Sequence, residues 1–249
     1  YIQLDKTIEV LEYLRAEAAA GEPIFHSIYT PDEIAADPSK ADTGIFVFRG
    51  EPGSPFAITC AGGGFAYVGA MHDSFPHSIE IARAGYTAFA LIYRPDAPYY
   101  DLARAITYII GHAAELGVAA ENYSLWGGSA GARMGATLGN RYILDRITGD
   151  PSLPQAAAVI MQYTGYSDVS PVDAPTYSCV GSNDGIASWR TMQTRLERLS
   201  ALGIPTEFHV YPGLSHGFGT GTGTVADGWV ADAIRFWEAN MHTEPDAGL

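Results

Sequence analysis

The spacing of apolar residues changes along this chain. In residues 4–20, Ile8, Leu11 and Leu14 recur at helical intervals among charged positions until Gly21 and Pro23 break the run, which predicts an amphipathic helix within residues 1–21. Three short β-type runs follow, at 24–29, 45–49 and 56–60, parted by turns rich in Pro, Asp and Gly. Such close spacing predicts an antiparallel start to a sheet. Beyond Gly64 the rhythm becomes strand and helix in alternation. Apolar runs at 87–93, 123–126, 156–163, 175–180 and 206–211 are separated by helical stripes, for instance Leu102, Ile106, Ile109 and Ala113, or Trp229, Ala233, Ile234 and Trp237. A third stripe runs through Trp189, Met192, Leu196 and Leu199. The pattern predicts an α/β chain, with a mostly parallel central sheet of about eight strands flanked by helices. Neither a repeat nor a linker interrupts it, so residues 1–249 read as one domain, and the Gly- and Thr-rich stretch 217–228 reads as a loop with a function.

Composition narrows the function classes. With 47% hydrophobic and 17% charged residues the chain carries enough apolar side chain for a sizeable core, which argues against disorder. Its longest apolar run, 87–93, falls far short of the roughly 18 residues of a membrane span. Acidic residues outnumber basic ones 28 to 14, a formal charge of −14, and the basic side chains are scattered singly. That distribution argues against nucleic acid or an anionic membrane as partner and favours a neutral small-molecule substrate. The two cysteines, Cys60 and Cys179, read as free thiols rather than a disulfide or metal pair. The chain starts at Tyr1 without the cationic and apolar regions of a signal peptide, so a cytoplasmic location is the default and secretion after removal of a leader stays open. Composition leaves the oligomeric state open.

The chemistry concentrates in a few motifs. Gly127-Gly-Ser-Ala-Gly131 fits G-x-S-x-G, directly after a predicted strand and before a helical stretch with Met134, Leu138 and Tyr142. In that setting the glycines let strand and helix approach while Ser129 projects its hydroxyl as a nucleophile. A serine hydroxyl needs a base, and the strand-turn-helix arrangement orders the partners Ser, then Asp or Glu, then His. His216, in Pro212-Gly-Leu-Ser-His-Gly-Phe-Gly219 after the strand at 206–211, fits the base. His209 lies inside that strand, and His26, His112 and His242 read as structural or solvated. Asp184, in Gly181-Ser-Asn-Asp-Gly185, is the preferred acid, with Asp168 and Asp173 as alternatives and a helix N-cap as its competing role. Cys60-Ala-Gly-Gly-Gly-Phe65 follows a strand and lets backbone N–H groups converge on a developing oxyanion, with Ala130 N–H completing the set. No phosphate-binding spacing accompanies these glycines.

Together these motifs resemble the α/β-hydrolase superfamily over residues 56–242. The combination of Cys60-Ala-Gly-Gly-Gly-Phe65, Gly127-Gly-Ser-Ala-Gly131, Asp184 and Ser215-His-Gly-Phe218 is similar to acetyl-xylan-esterase-like carbohydrate esterases, which often read C-P-G-G-G-Y at the first motif. Hormone-sensitive-lipase-like esterases are the neighbouring group and carry His where this chain has Ala61. The resemblance implies an α/β-hydrolase fold, oxyanion donors at Gly63, Gly64 and Ala130, a Ser-His-Asp acyl-enzyme mechanism and no cofactor.

About a dozen residues separate the strands at 156–163 and 175–180, too few for a large helical cap, so an open pocket is expected. Phe65, Tyr67, Tyr163 and Tyr166 adjoin the proposed loops and are candidate substrate contacts, as is Trp189, each with ordinary packing as its competing role. His72 and His77, parted by Pro76, do not share a helix face, which argues against a metal site. The resulting expectation is a serine hydrolase of short-acyl carboxylic esters, with acetyl esters on carbohydrate as one candidate. An arylformamidase or amidase using the same residues is the first alternative, and a non-catalytic binding protein of the same fold the second.

Overall fold

The computed structural model describes residues 2–242; the expected domain span of 1–249 includes residue 1 and residues 243–249, which lie outside the described residues. Helix α1 (Leu4–Ala19) leads into β1 (Phe25–Ser27), α2 (Pro31–Ala36), β2 (Gly44–Phe48) and β3 (Phe56–Cys60). Next come α3 (Ala70–Asp73), α4 (Phe75–Arg83), β4 (Thr87–Ile92), α5 (Pro98–Gly111) and α6 (Ala113–Leu116). The second half holds β5 (Ser124–Gly128), α7 (Ala130–Leu138), α8 (Arg141–Thr148), β6 (Ala158–Gln162), β7 (Thr176–Gly181), α9 (Trp189–Ala201), β8 (Thr206–Tyr211) and α10 (Trp229–Ala239).

These strands form an eight-stranded sheet in the order β1-β2-β4-β3-β5-β6-β7-β8. Only the β1–β2 and β2–β4 pairs are antiparallel; from β4 to β8 every neighbour is parallel. Alternate residues of each strand feed opposite faces, as a period of two requires. Ile45, Val47, Ile58, Phe89, Leu91, Leu125 and Val159 pack under α5, α7 and α8. Phe48, Ala57, Ala88, Ala90, Trp126 and Ile160 pack on the other face with α1, α4 and α10. Burial on both faces explains why the central strands read as unbroken apolar runs.

Two expected elements differ. Helix α1 turns Val10 and Leu14 inward and leaves Ile8 and Leu11 44% and 52% exposed. Tyr13 sets this face, stacking on Phe48 at 5.3 Å while its hydroxyl accepts Arg49 N–H at 2.7 Å. The single helical stretch through Met134, Leu138 and Tyr142 is split. A Cβ on Gly139 would lie 2.3 Å from the Val159 side chain, so the chain crosses β6 closely there. Asn140 then caps α8 by accepting Ile143 N–H at 3.1 Å. Between β6 and β7, residues 163–175 form no helix, so this crossing places no helical cap over the carboxyl ends of the central strands.

Candidate active site

The carboxyl end of β5 delivers Ser129. Its φ of 52° and ψ of −113° place a non-glycine residue in strained backbone, immediately before α7 begins at Ala130. The strain is fixed by backbone packed on backbone. A Cβ on Gly127 would come within 2.2 Å of the Gly131 carbonyl carbon, and one on Gly131 within 1.9 Å of the Cys60 carbonyl oxygen. Ser129 N–H is tied to the Gln162 carbonyl at 3.0 Å, which leaves the side chain to project from the turn.

His216 arrives on the loop after β8, with Gly217 in left-handed backbone at φ 77°. Its Nε2 lies 3.1 Å from Ser129 Oγ and its Nδ1 lies 2.8 Å from Asp184 Oδ2. The Asp184 side chain is fully buried, and Oδ1 accepts the N–H groups of Ile186 at 2.8 Å and Ala187 at 2.7 Å. Asp184 therefore takes both roles weighed for it, binding His216 and tying down the turn before α9, although Ser188 is the N-cap residue. The alternative acids are engaged elsewhere. Asp173 accepts from Asn140 at 2.6 Å and pairs with Arg195 at 3.5 Å, while Asp168 is held through its backbone carbonyl, which accepts from Arg195 at 2.8 Å, and it is Asp184 that bonds His216 Nδ1. Likewise His209 bonds Glu207 at 2.6 Å and His112 bonds the Tyr108 carbonyl at 2.8 Å.

The glycine run after β3 folds against this group. Gly63 and Gly64 have φ of 137° and 61°, and a Cβ on Gly63 would lie 2.0 Å from the Tyr67 carbonyl oxygen, so the turn demands glycine there. A Cβ on Gly62 would sit 3.0 Å from that of Ser129, which measures how closely the turn approaches the hydroxyl. Among the described residues, the N–H groups of Gly63, Gly64 and Ala130 donate to no acceptor. A hydroxyl, an imidazole, a buried carboxylate and unpartnered amides thus share one site, a combination suited to acyl transfer.

Ser129, His216, Gly63 and Gly64 border a cleft of about 700 Å³ whose other walls include Tyr67, Met71 and Ile186. Of the four candidate substrate contacts, Tyr67 and Tyr163 line it. Phe65 and Tyr166 are not among its lining residues. Phe65 has φ of 57°, which turns its ring toward Tyr99 and Tyr93 at 6.0 and 6.5 Å. Tyr166 packs between the guanidinium groups of Arg133 and Arg195 at 5.8 and 5.2 Å. Trp189 also packs inward, with Arg190 stacked 4.3 Å from its ring. His72 lines the cleft while His77 is buried behind it, and no group of three metal-ligating side chains occurs among the described residues. No described helix is long and apolar enough to cross a membrane.

Sequence reasoning missed Asp73. Its Oδ2 accepts Gly62 N–H at 2.6 Å, and its Oδ1 accepts the Tyr163 hydroxyl. Burial, and then the Asp73 charge, push the Tyr163 phenol well above its ordinary range. The only sequence signal was indirect, since a buried glycine turn needs acceptors for its inward N–H groups.

Solved structures resemble this arrangement. An acetyl ester-xyloside bifunctional hydrolase from Caldicellulosiruptor lactoaceticus superposes with a TM-score of 0.73 at 20% identity, over 86% of this chain and 95% of that one. An α/β-hydrolase enzyme, MGS-M1, from a Medee basin deep-sea metagenome library gives 0.66 at 18% identity, over 80% and 93%. The chain has the α/β-hydrolase fold. Esterase 2 of Thermogutta terrifontis, in a form phosphorylated by paraoxon, shares that α/β-hydrolase-like architecture at a TM-score of 0.70 and 19% identity, over 88% and 95%. No protein-family model and no curated protein sequence matches the chain. In this α/β-hydrolase fold the turns after β3, β5, β7 and β8 all open on the carboxyl edge of the sheet, which is why residues so far apart in sequence share one cleft.

Proposed function

We propose that this chain is a serine carboxylic-ester hydrolase acting on short-acyl esters of neutral small molecules, acetylated carbohydrate among them. The observation that carries the reading is the continuous relay from Ser129 Oγ through His216 to Asp184, with steps of 3.1 and 2.8 Å. The esterase and acetyl-ester hydrolase neighbours support the same chemistry.

The neutral His216 ring donates its Nδ1–H to Asp184, which leaves Nε2 bare to accept the Ser129 proton. Ser129 Oγ then bonds to the ester carbonyl carbon, and the carbonyl oxygen becomes an oxyanion facing the amides of Gly63, Gly64 and Ala130. Collapse expels the alcohol, which takes its proton from His216 and leaves an acyl-Ser129 ester. Water then bonds to the acyl carbon as it loses a proton to His216; collapse breaks the bond to Ser129 Oγ, which takes that proton back from His216, and the acid leaves. Side chains and amides handle every proton and electron pair here, so the mechanism calls for no cofactor.

Ser129→Ala is expected to lower turnover of p-nitrophenyl acetate by at least ~10³-fold with folding intact. A fluorophosphonate probe is expected to label the wild type at Ser129 and leave the variant untouched. Wild-type turnover in the folded variant overturns the mechanism, and a folded wild type that resists labelling favours a non-catalytic binding protein. A much larger kcat/KM on N-formylkynurenine than on acetyl esters overturns the ester preference in favour of the amidase reading. A rate profile that falls steeply beyond propionyl, with release of acetate from acetylated xylan oligosaccharides, supports the carbohydrate substrate.

A further inference from the structure

Asp73, at the start of the α3–α4 turn, spends its two oxygens on two different parts of the cleft. Oδ2 holds Gly62, the first residue of the turn that carries the free amides, at 2.6 Å. Oδ1 holds Tyr163, whose ring packs against His216 with centroids 4.8 Å apart. Tyr163 has φ of 35°, a conformation that persists only where its surroundings enforce it. Gly128 makes room for this carboxylate, because a Cβ there would lie 2.3 Å from Oδ2. Asp73 thus touches both the oxyanion side and the base side of the proposed reaction, although it contacts neither Ser129 nor any reacting atom by a hydrogen bond.

A second feature lies behind it. Asp73, His77, Thr59, Gln162 and Trp229 enclose a void of about 10 Å³. His77 is 3% exposed, and its ring lies against the Gly219 backbone and the Gln162 side chain as well as beside Asp73. Burial holds His77 toward its neutral form, so one ring nitrogen can donate and the other accept.

We propose that Asp73 is a positioning residue that locks the Gly62–Gly64 turn to Tyr163 beneath His216, and that His77 braces Asp73 from behind. The catalytic consequence rests on the hydrolase reading above; the mechanical link between the turn and Tyr163 does not.

The test compares wild type with Asp73→Asn, Tyr163→Phe and His77→Phe by hydrogen–deuterium exchange across residues 61–69 and by kcat and KM on p-nitrophenyl acetate. Tyr163→Phe keeps the ring and removes only the hydroxyl, so it remains informative if Asp73→Asn does not fold. Exchange in 61–69 is expected to speed up about tenfold or more in each folded variant, with kcat down ~10- to 100-fold and KM within about twofold of wild type. Equal losses in kcat and KM across all three variants, or wild-type exchange and kcat in Tyr163→Phe, overturn the proposal. If exchange rises in the variants while even the wild type hydrolyses no ester, the mechanical link stands and the hydrolase reading fails. If exchange is unchanged while Ser129→Ala abolishes turnover, the hydrolase reading stands and the link fails. Wild-type exchange in His77→Phe alone removes the bracing role of His77.

Discussion

Asp184 grips His216 with one oxygen, 2.8 Å from Nδ1, and anchors itself with the other through the amides of Ile186 and Ala187. This division of labour fixes the imidazole tautomer, because only a ring with hydrogen on Nδ1 satisfies the carboxylate. Asp184→Asn keeps an oxygen for the amides but turns an NH₂ toward Nδ1, so the ring hydrogen moves to Nε2 and His216 loses its lone pair toward Ser129. Turnover of p-nitrophenyl acetate is expected to drop by ~10⁴-fold while the melting temperature stays near wild type. A folded Asp184→Asn protein with more than a tenth of wild-type kcat contradicts this role.

Gly131 tests the turn itself. The added carbon of Gly131→Ala would meet the Cys60 carbonyl at 1.9 Å, and backbone cannot swing aside as a flexible side chain can. Urea denaturation is expected to show a loss of about 1–3 kcal/mol, together with a fall in whatever turnover of p-nitrophenyl acetate the wild type shows. Gly111→Ala is the control, since its Cβ at the end of α5 meets nothing within 4 Å. That variant is expected to match or exceed wild-type stability by about 0.5–1 kcal/mol. Equal stability for both variants contradicts the crowding argument.

Acidity offers a third check. Burial, acting first, lowers the His77 pKa below its ordinary 6.5, with Asp73 opposing. An unfolded chain therefore takes up this proton before the folded one does, so the contribution to stability is complete above about pH 6.5 and is lost as pH falls from there toward the depressed folded value. The slope is at most about 1.4 kcal/mol per pH unit for one such group. His26 is lowered too, again by burial first, but its larger exposure to water weakens its share. Denaturation at pH 7.5 and pH 5 is expected to show a smaller difference in His77→Phe than in wild type. Identical differences in the two proteins count against a neutral buried His77.

Both thiols are predicted to be silent in the native state. Cys60 and Cys179 are buried, and burial pushes each thiol up, leaving little thiolate. With a disulfide thiol reagent, the folded protein is expected to release no colour over minutes and the urea-unfolded protein to titrate two thiols. Fast native labelling would show that β3 or β7 opens readily.

Strands were legible where burial is complete, as at Phe56–Cys60, because an apolar run closed by turn residues has few other readings, and in half-buried β8, where Phe208 and Val210 alternate with Glu207 and His209. The three side chains that meet in the cleft are the ones that chain order and glycine-flanked loops pick out. Other features depend on contacts that no local pattern announces. The break at Gly139 exists because the chain passes over Val159, and the inward turn of Phe65 exists because Tyr99 and Tyr93 receive its ring. Asp73 stands between a histidine and a serine in a short polar stretch, where a carboxylate ordinarily faces water, and only the folded turn shows that it faces Gly62.

The bare crossing from β6 to β7 has a kinetic consequence. Residues 163–175 hold no helix that could swing aside, so substrate is expected to reach Ser129 without an opening step in that crossing. An ester hydrolase built this way will show hyperbolic kinetics on dissolved esters and no jump in rate when the ester begins to form micelles, behaviour that separates it from enzymes gated by an oil–water surface.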